Sequence, residues 1–269
     1  MSTRTRTARA AREIGDNRAL QILARSGFAA SGLVHLMLGI LAIRVATDGG
    51  GESDQAGAVG EIAKLPAGLV LLWIAVVGFF ALAAWLVTEA ALGIGARSKK
   101  RWVRSLVPLG KAIAYIALGV TALTFALGGT TDGGDSASSA SASILHLPGG
   151  PILLGILGAA TVAIGVYLVA KGVRRTFAED IVIPSGAMER PVTILGIVGY
   201  VAKGVAVAVV GILFIIAAVA VDPSGATGLD GALKALATLP LGMGILIAVG
   251  VGLIAFGVYS FARARLARL

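Results

Sequence analysis

Gly199-Tyr200-Val201-Ala202-Lys203-Gly204-Val205-Ala206-Val207-Ala208-Val209-Val210-Gly211 is one of three copies of a single stretch. Moved back 92 residues, Lys203, Val207 and Gly211 fall on Lys111, Tyr115 and Gly119; 80 residues further back they fall on Ser31, His35 and Gly39. Each copy leads to a second apolar run introduced by Leu-Pro, at Leu65-Pro66, Leu147-Pro148 and Leu239-Pro240. The interval from the shared Gly to the Pro is 27, 29 and 29 residues, through loops of unrelated sequence. A period held this closely marks one unit written three times.

The rest of the chain fits that unit into a bilayer. Hydrophobic residues make up 57% and charged residues 14%, with a mean hydropathy of +0.91. Soluble domains carry about 25% charged residues, so a water-facing surface cannot be covered. The apolar residues gather in runs near 27–46, 67–88, 106–128, 149–170, 192–221 and 241–262. Each reaches the ~20 residues that a helix needs to cross ~30 Å of hydrocarbon. Barrel strands would instead show ~10-residue alternating segments. The expected fold is an all-α integral membrane protein. Its six transmembrane helices form three tandem parallel helical hairpins, with approximate threefold pseudo-symmetry about the membrane normal.

Charge sets the orientation. Of the 23 Lys and Arg residues, 18 lie on alternate connections, while eight of the 14 Asp and Glu residues lie on the others. The positive-inside rule then places both termini in the cytoplasm. The same basic residues favour anionic lipids on that side, and this accounts for the net charge of +9 without nucleic acid. The boundaries that follow are a basic arm at 1–25, copies at 26–95 and 96–175, and a cytoplasmic linker at 176–191. A third copy at 192–263 and a basic tail at 264–269 complete the chain. The arm reads as a disordered basic segment or as an amphipathic helix along the inner leaflet. The first run is read as retained, since no small-residue cleavage site follows it.

Before each Leu-Pro lies a short amphipathic segment, with Val59, Ile62 and Leu65 in the first copy and Leu233, Leu236 and Leu239 in the third. The second copy keeps Ile144 and Leu147. These read as turns on the outer interface, with Asp54 and Asp230 near N-caps and the prolines in the first turn of the next helix. Gly39, Gly119 and Gly211 on the first helices, and Gly165 and Gly257 on the second, are small residues that allow close helix approach in lipid. Trp85, Tyr167 and Tyr259 read as interfacial rings.

A chain of three helix pairs, each with a Gly in its first helix and a Pro opening its second, resembles a bacterial domain-of-unknown-function family. That family, numbered twelve-oh-six, has a pair of transmembrane helices occurring three times. Gly165-Val-Tyr-Leu168 and Gly257-Val-Tyr-Ser260 carry the recurrence, while the first copy departs with Ala84-Trp85 and with Ser31 in place of Lys. The resemblance implies the fold and no activity.

Charges inside the apolar runs are the candidate chemistry. Lys111 and Lys203 are equivalent, and Glu89 lies at the inner end of the second run. An ionisable residue at membrane depth is a functional candidate by default, although a lysine can snorkel to the headgroups or pair with Glu89. If the repeated faces turn inward, Ser31, Lys111 and Lys203 line the axis at one level. His35, Tyr115 and Val207 then lie one turn deeper. Arg44 reads as an interface anchor beside Asp48.

Cysteine is absent, and the two histidines, His35 and His146, are expected near opposite sides of the bilayer. No catalytic, cofactor or metal set emerges, and no nucleophile elbow, phosphate loop or His-Glu-x-x-His motif is present. The functional expectation is a non-enzymatic structural or accessory subunit that binds lipids or other membrane proteins. The alternative is a small-solute or ion transporter or channel along the pseudo-axis.

Overall fold

The computed structural model describes residues 18–48, 55–64, 66, 68–92, 101–183 and 186–267. Six long helices dominate it: α1 (Arg18–Asp48), α3 (Gly68–Leu92), α4 (Arg101–Ala126), α6 (Gly150–Val173), α7 (Glu189–Ala220) and α9 (Gly242–Leu266). All six are long and apolar enough to cross a membrane, as a multi-pass membrane protein requires. Short helices precede the second span of each copy: α2 (Gln55–Ala63), α5 (Gly133–Leu145) and α8 (Gly228–Ala237). Among the described residues the only β-type pairing is an isolated bridge between Ile181 and Ala267. The helix of the first span begins at Arg18, so residues 18–25 continue α1 rather than stand apart from it. The loop 49–54, with Asp54, lies outside the described residues.

The segment between each short helix and the next span differs from the sequence expectation. Pro66, Pro148 and Pro240 each stand two residues before the first helical residue, not within the first turn. Gly150 N–H donates to Leu147 O at 2.8 Å and Gly242 N–H to Leu239 O at 2.7 Å. Gly149 and Leu241, between them, take φ of 75° and 62°. That is the geometry of a turn with Pro second and a left-handed residue third. It folds the short helix back over the start of the long one. A Cβ on Gly68, Gly150 or Gly242 would run into the carbonyls that end the short helix.

The repeated unit of sequence is not the unit of closest packing. The most extensive helix contacts are α6 with α7, α1 with α9, and α3 with α4. Each joins the second span of one copy to the first span of another. Within copies, α7 and α9 pack well and α1 and α3 less so, while α4 and α6 make no extended contact. The long helices therefore form an open row in the order α4, α3, α1, α9, α7, α6. The short helices link its outer face, with α2 and α5 in contact, and α5 and α8.

Glycine explains the strongest pairs. A Cβ on Gly158, Gly165, Gly204 or Gly211 would lie 2.7–2.8 Å from the carbonyl of the glycine facing it across α6 and α7. Across α1 and α9, Gly32 faces Gly257 and Gly39 faces Gly250 in the same way. The spacing is seven residues on every helix, which keeps one face against its neighbour along the pair. Without side chains between them the backbones approach closely, the main source of helix adhesion where lipid removes the hydrophobic drive. In the α3–α4 pair, Ala83 and Ala112 are buried and Gly119 abuts the Phe80 ring instead.

The largest core lies at the short-helix end. Leu38, Leu41 and Val45 of α1 meet Val59 and Ile62 of α2, Leu233 and Leu236 of α8, and Leu246 and Leu253 of α9. The amphipathic triplets thus point inward, with Leu239 and Leu147 left exposed. Leu65 lies outside the described residues. Asp132 caps α5 by accepting from Asp135 N–H at 2.9 Å. Asp230 stands in the first turn of α8, three residues after Thr227 at the cap position, and pairs with Lys234 at 2.6 Å.

Candidate functional site

A cavity of about 330 Å³ opens between α1, α6, α7 and α9, beneath the first turns of α5 and α8. Its wall is apolar over most of its extent, through Leu38, Ala206, Val207, Val210, Leu229 and Leu253. Among the described residues His35, Thr161 and Lys203 supply the polar side chains, and neither α3 nor α4 contributes.

Lys203 reaches the cavity because of the glycine pattern. Gly204 and Gly211 turn one face of α7 onto α6. The adjoining face, with Lys203, Ala206, Val207 and Val210, is left to line the space. Lys203 Nζ sits 4.3 Å from the centre of the Phe256 ring. Among the described residues no carboxylate and no hydrogen-bond acceptor pairs with it. A cation at membrane depth costs at least ~2.5–3.5 kcal/mol by insertion scales, and one aromatic face returns ~0.5–2 kcal/mol. The ring leaves part of that cost uncovered.

His35 is held from below. Its Nδ1 lies 2.7 Å from Ser31 O. A carbonyl oxygen only accepts, so Nδ1 carries a proton and donates. Nε2 is left as the ring's free polar atom. The imidazole also packs on Phe256, centroid to centroid 4.6 Å. Phe256 therefore touches both His35 and Lys203. Thr161 donates its hydroxyl proton to Leu157 O at 2.8 Å and offers the cavity only lone pairs.

Of the residues expected on the axis, His35, Lys203 and Val207 come together here. Ser31 sits one turn away as the partner of His35. Lys111 does not join them, because its side chain is exposed on α4. Tyr115 stacks on Phe79 at 6.0 Å inside the α3–α4 pair. The physical reason is that α4 docks on α3 and α2 and makes no extended contact with α6, α7 or α9. The backbone of Glu89 belongs to α3, but its side chain lies outside the described residues. Gly39, Gly165, Gly211 and Gly257 all lie in glycine-to-glycine contacts within the chain. Arg44 and His146 are exposed at the surface. Among the described residues no group of three or more His, Asp or Glu could hold a metal ion.

A second polar cluster, at the basic end, was missed. Asp180 accepts from Lys171 Nζ at 2.6 Å and lies 3.5 Å from an Arg263 guanidinium nitrogen. Arg263 also donates to Tyr200 Oη at 3.3 Å and stacks on Phe28 at 4.4 Å. Beneath it Phe177 is fully buried, 5.5 Å from Tyr200 and 5.4 Å from Tyr259 between ring centres. Val182 N–H then donates to Leu266 O at 2.7 Å. The segment after α6, read from sequence as a linker, is thus a folded clasp that ties α6 to the end of α9. Tyr259 is fully buried in it rather than set at a wet interface, whereas Tyr167 is 61% exposed. The 12-residue difference between the two repeat intervals was the available signal.

Comparison with known proteins agrees with the threefold writing of the unit. The family model described as Domain of Unknown Function (DUF1206) matches residues 26–93, 108–175 and 198–267. Over 243 residues the chain is 31% identical to the Uncharacterized protein YxxB of Bacillus subtilis (strain 168), covering 88% of this chain and 87% of that protein. No solved structure matches.

Proposed function

Because the chain belongs to the family described as Domain of Unknown Function (DUF1206), which carries no stated activity, we propose a role from the geometry alone. The protein is a non-enzymatic, multi-pass component of a bacterial plasma membrane, with its basic end and both termini in the cytoplasm. Its copies keep the pseudo-threefold arrangement, and its working part, the cavity between α1, α6, α7 and α9, binds a small solute. The observation that carries this reading is the convergence of Lys203 and His35 on one cavity at membrane depth. Polar residues there are costly, so packing alone does not account for both. The α1–α9, α3–α4 and α6–α7 interfaces are the three equivalent contacts of that pseudo-symmetry. The parted pair α4 and α6 forms its open side. Acid–base chemistry has little to work with among the described residues: one histidine whose Nδ1 is committed, one lysine and no lining carboxylate.

The accessory-subunit reading keeps one observation in its favour. Ile113, Ile152, Ile156 and Ile164 on α4 and α6 are exposed, an apolar surface open to lipids or another membrane protein. The glycine faces, by contrast, are already filled from within the chain.

Detergent-free purification followed by mass spectrometry separates the two. A small molecule retained by the wild type and absent from Val207→Phe, which fills the cavity, supports the solute reading. A stoichiometric protein partner with no small molecule in either preparation assigns the accessory role instead.

A further inference from the structure

We infer that the cavity is a site for a small anion, a carboxylate or phosphate group, held by Lys203; this rests on the cavity being the working site. Three features of the wall point the same way. Among the described residues the one fixed charge in it is the Lys203 ammonium, and no acidic residue lines it. Among the described residues nothing anionic pairs with that ammonium, and the Phe256 ring at 4.3 Å compensates it only in part. Gly133 and Gly228, the first residues of α5 and α8, also line the cavity. Helix N-termini present amide hydrogens and the positive end of the helix dipole.

The acidic groups near those termini do not reverse the sign. Asp132 is engaged with the Asp135 amide and Asp230 with Lys234, and neither lines the cavity. At the basic end, Arg263 is held by Asp180 and Tyr200. An anion entering the cavity therefore meets Lys203 with no competing carboxylate in the wall. Because α3 and α4 contribute no wall, the anionic group can come from bulk water or from a lipid headgroup at the open side of the row.

The test uses the full chain in phosphatidylcholine nanodiscs, with thermal unfolding followed as acetate or inorganic phosphate is added. Either anion should raise Tm by a few degrees at saturation, through mass action on the folded state. The shift should persist in Lys111→Gln and Lys203→Arg and be lost in Lys203→Gln. Val207→Phe, which leaves the lysine in place and fills the space, should lose it as well and serves if Lys203→Gln does not fold. Discs containing phosphatidylglycerol that stabilise the wild type but not Lys203→Gln, and blunt the acetate response, identify the headgroup as the source. Equal shifts in wild type and Lys203→Gln overturn the anion site. Stabilisation by acetamide or tetramethylammonium but by neither anion also overturns it, while leaving the cavity as a solute site. No response to any probe, with Val207→Phe behaving as wild type, removes both readings.

Discussion

Gly165 and Gly204 face each other across α6 and α7, and a Cβ on either would stand 2.7 Å from the other's carbonyl oxygen. Real Cβ atoms do not approach oxygen that closely, so the two backbones can adopt this distance only while both residues remain glycine. Gly165→Leu is expected to cost at least about 1–3 kcal/mol through overpacking or to abolish folding. Gly78→Ala, on α3 with nothing within 4 Å of the added carbon, should be neutral or slightly stabilising. Thermal unfolding of both variants in mild detergent checks this; equal melting temperatures would show that the close approach carries no stability.

Leu241 sits at φ 62° where the second copy has Gly149 at φ 75°. A leucine in that conformation carries about 1–2 kcal/mol of strain, and its side chain is 87% exposed, so it contributes little packing in return. Leu241→Gly should therefore stabilise by roughly 0.5–1 kcal/mol, after allowing for the freer unfolded chain. Gly149→Leu should destabilise by a similar amount. Opposite shifts in Tm are the expected result.

Asp180 holds two cations at once, Lys171 at 2.6 Å and Arg263 at 3.5 Å. Asp180→Ala should cost about 1.5–3 kcal/mol, the range for hydrogen bonds to charged groups. Phe177→Ala, emptying a fully buried site, should cost about 3–5 kcal/mol. Both losses should appear first as faster hydrogen exchange in residues 176–182 and at the end of α9, with the α1–α9 glycine contact still protected. Uniformly faster exchange throughout would mean that the clasp is not a separable part of the fold.

The absence of cysteine makes the proposed orientation open to direct labelling. Ser139→Cys on α5 and Arg265→Cys at the end of α9 place single thiols on exposed residues, one at the short-helix end and one at the basic end of the bundle. In intact cells a membrane-impermeant maleimide should label Ser139→Cys alone, and Arg265→Cys should react only after permeabilisation. The reverse pattern would invert the topology.

His35→Leu removes the Nδ1–H donation to Ser31 O while keeping comparable volume. The Ser31 carbonyl retains its helical partner, so the stability change should stay under about 1.5 kcal/mol. A larger loss, measured by thermal unfolding, would show that the imidazole is structural rather than part of a binding wall.

How much of this was legible beforehand divides along the physics. Span number, the threefold repetition and the amphipathic segment before each Leu-Pro are local properties. Run length, periodicity and the spacing of Gly and Pro encode them within some thirty residues. The clasp was not legible, because Asp180 acquires meaning only from Lys171 and Arg263, which reach it from two different helices, with Arg263 held in turn by Tyr200 of a third. Nor was the pairing of helices across copies. The glycines at 158, 165, 204 and 211 announce close contact, but the same small residues could face a partner in their own copy, in another copy or in another chain.

Lys111 and Lys203 show the limit most directly. They occupy one position in the repeat, and by sequence both belong to the same inward face. The fold places Lys203 in the central cavity and leaves Lys111 exposed, because α7 is gripped by α6 and α9 while α4 rests only on α3 and α2. Hydropathy and period determine which residues share a face of a helix. Which way that face turns depends on the neighbours the helix acquires, and only the tertiary packing supplies those.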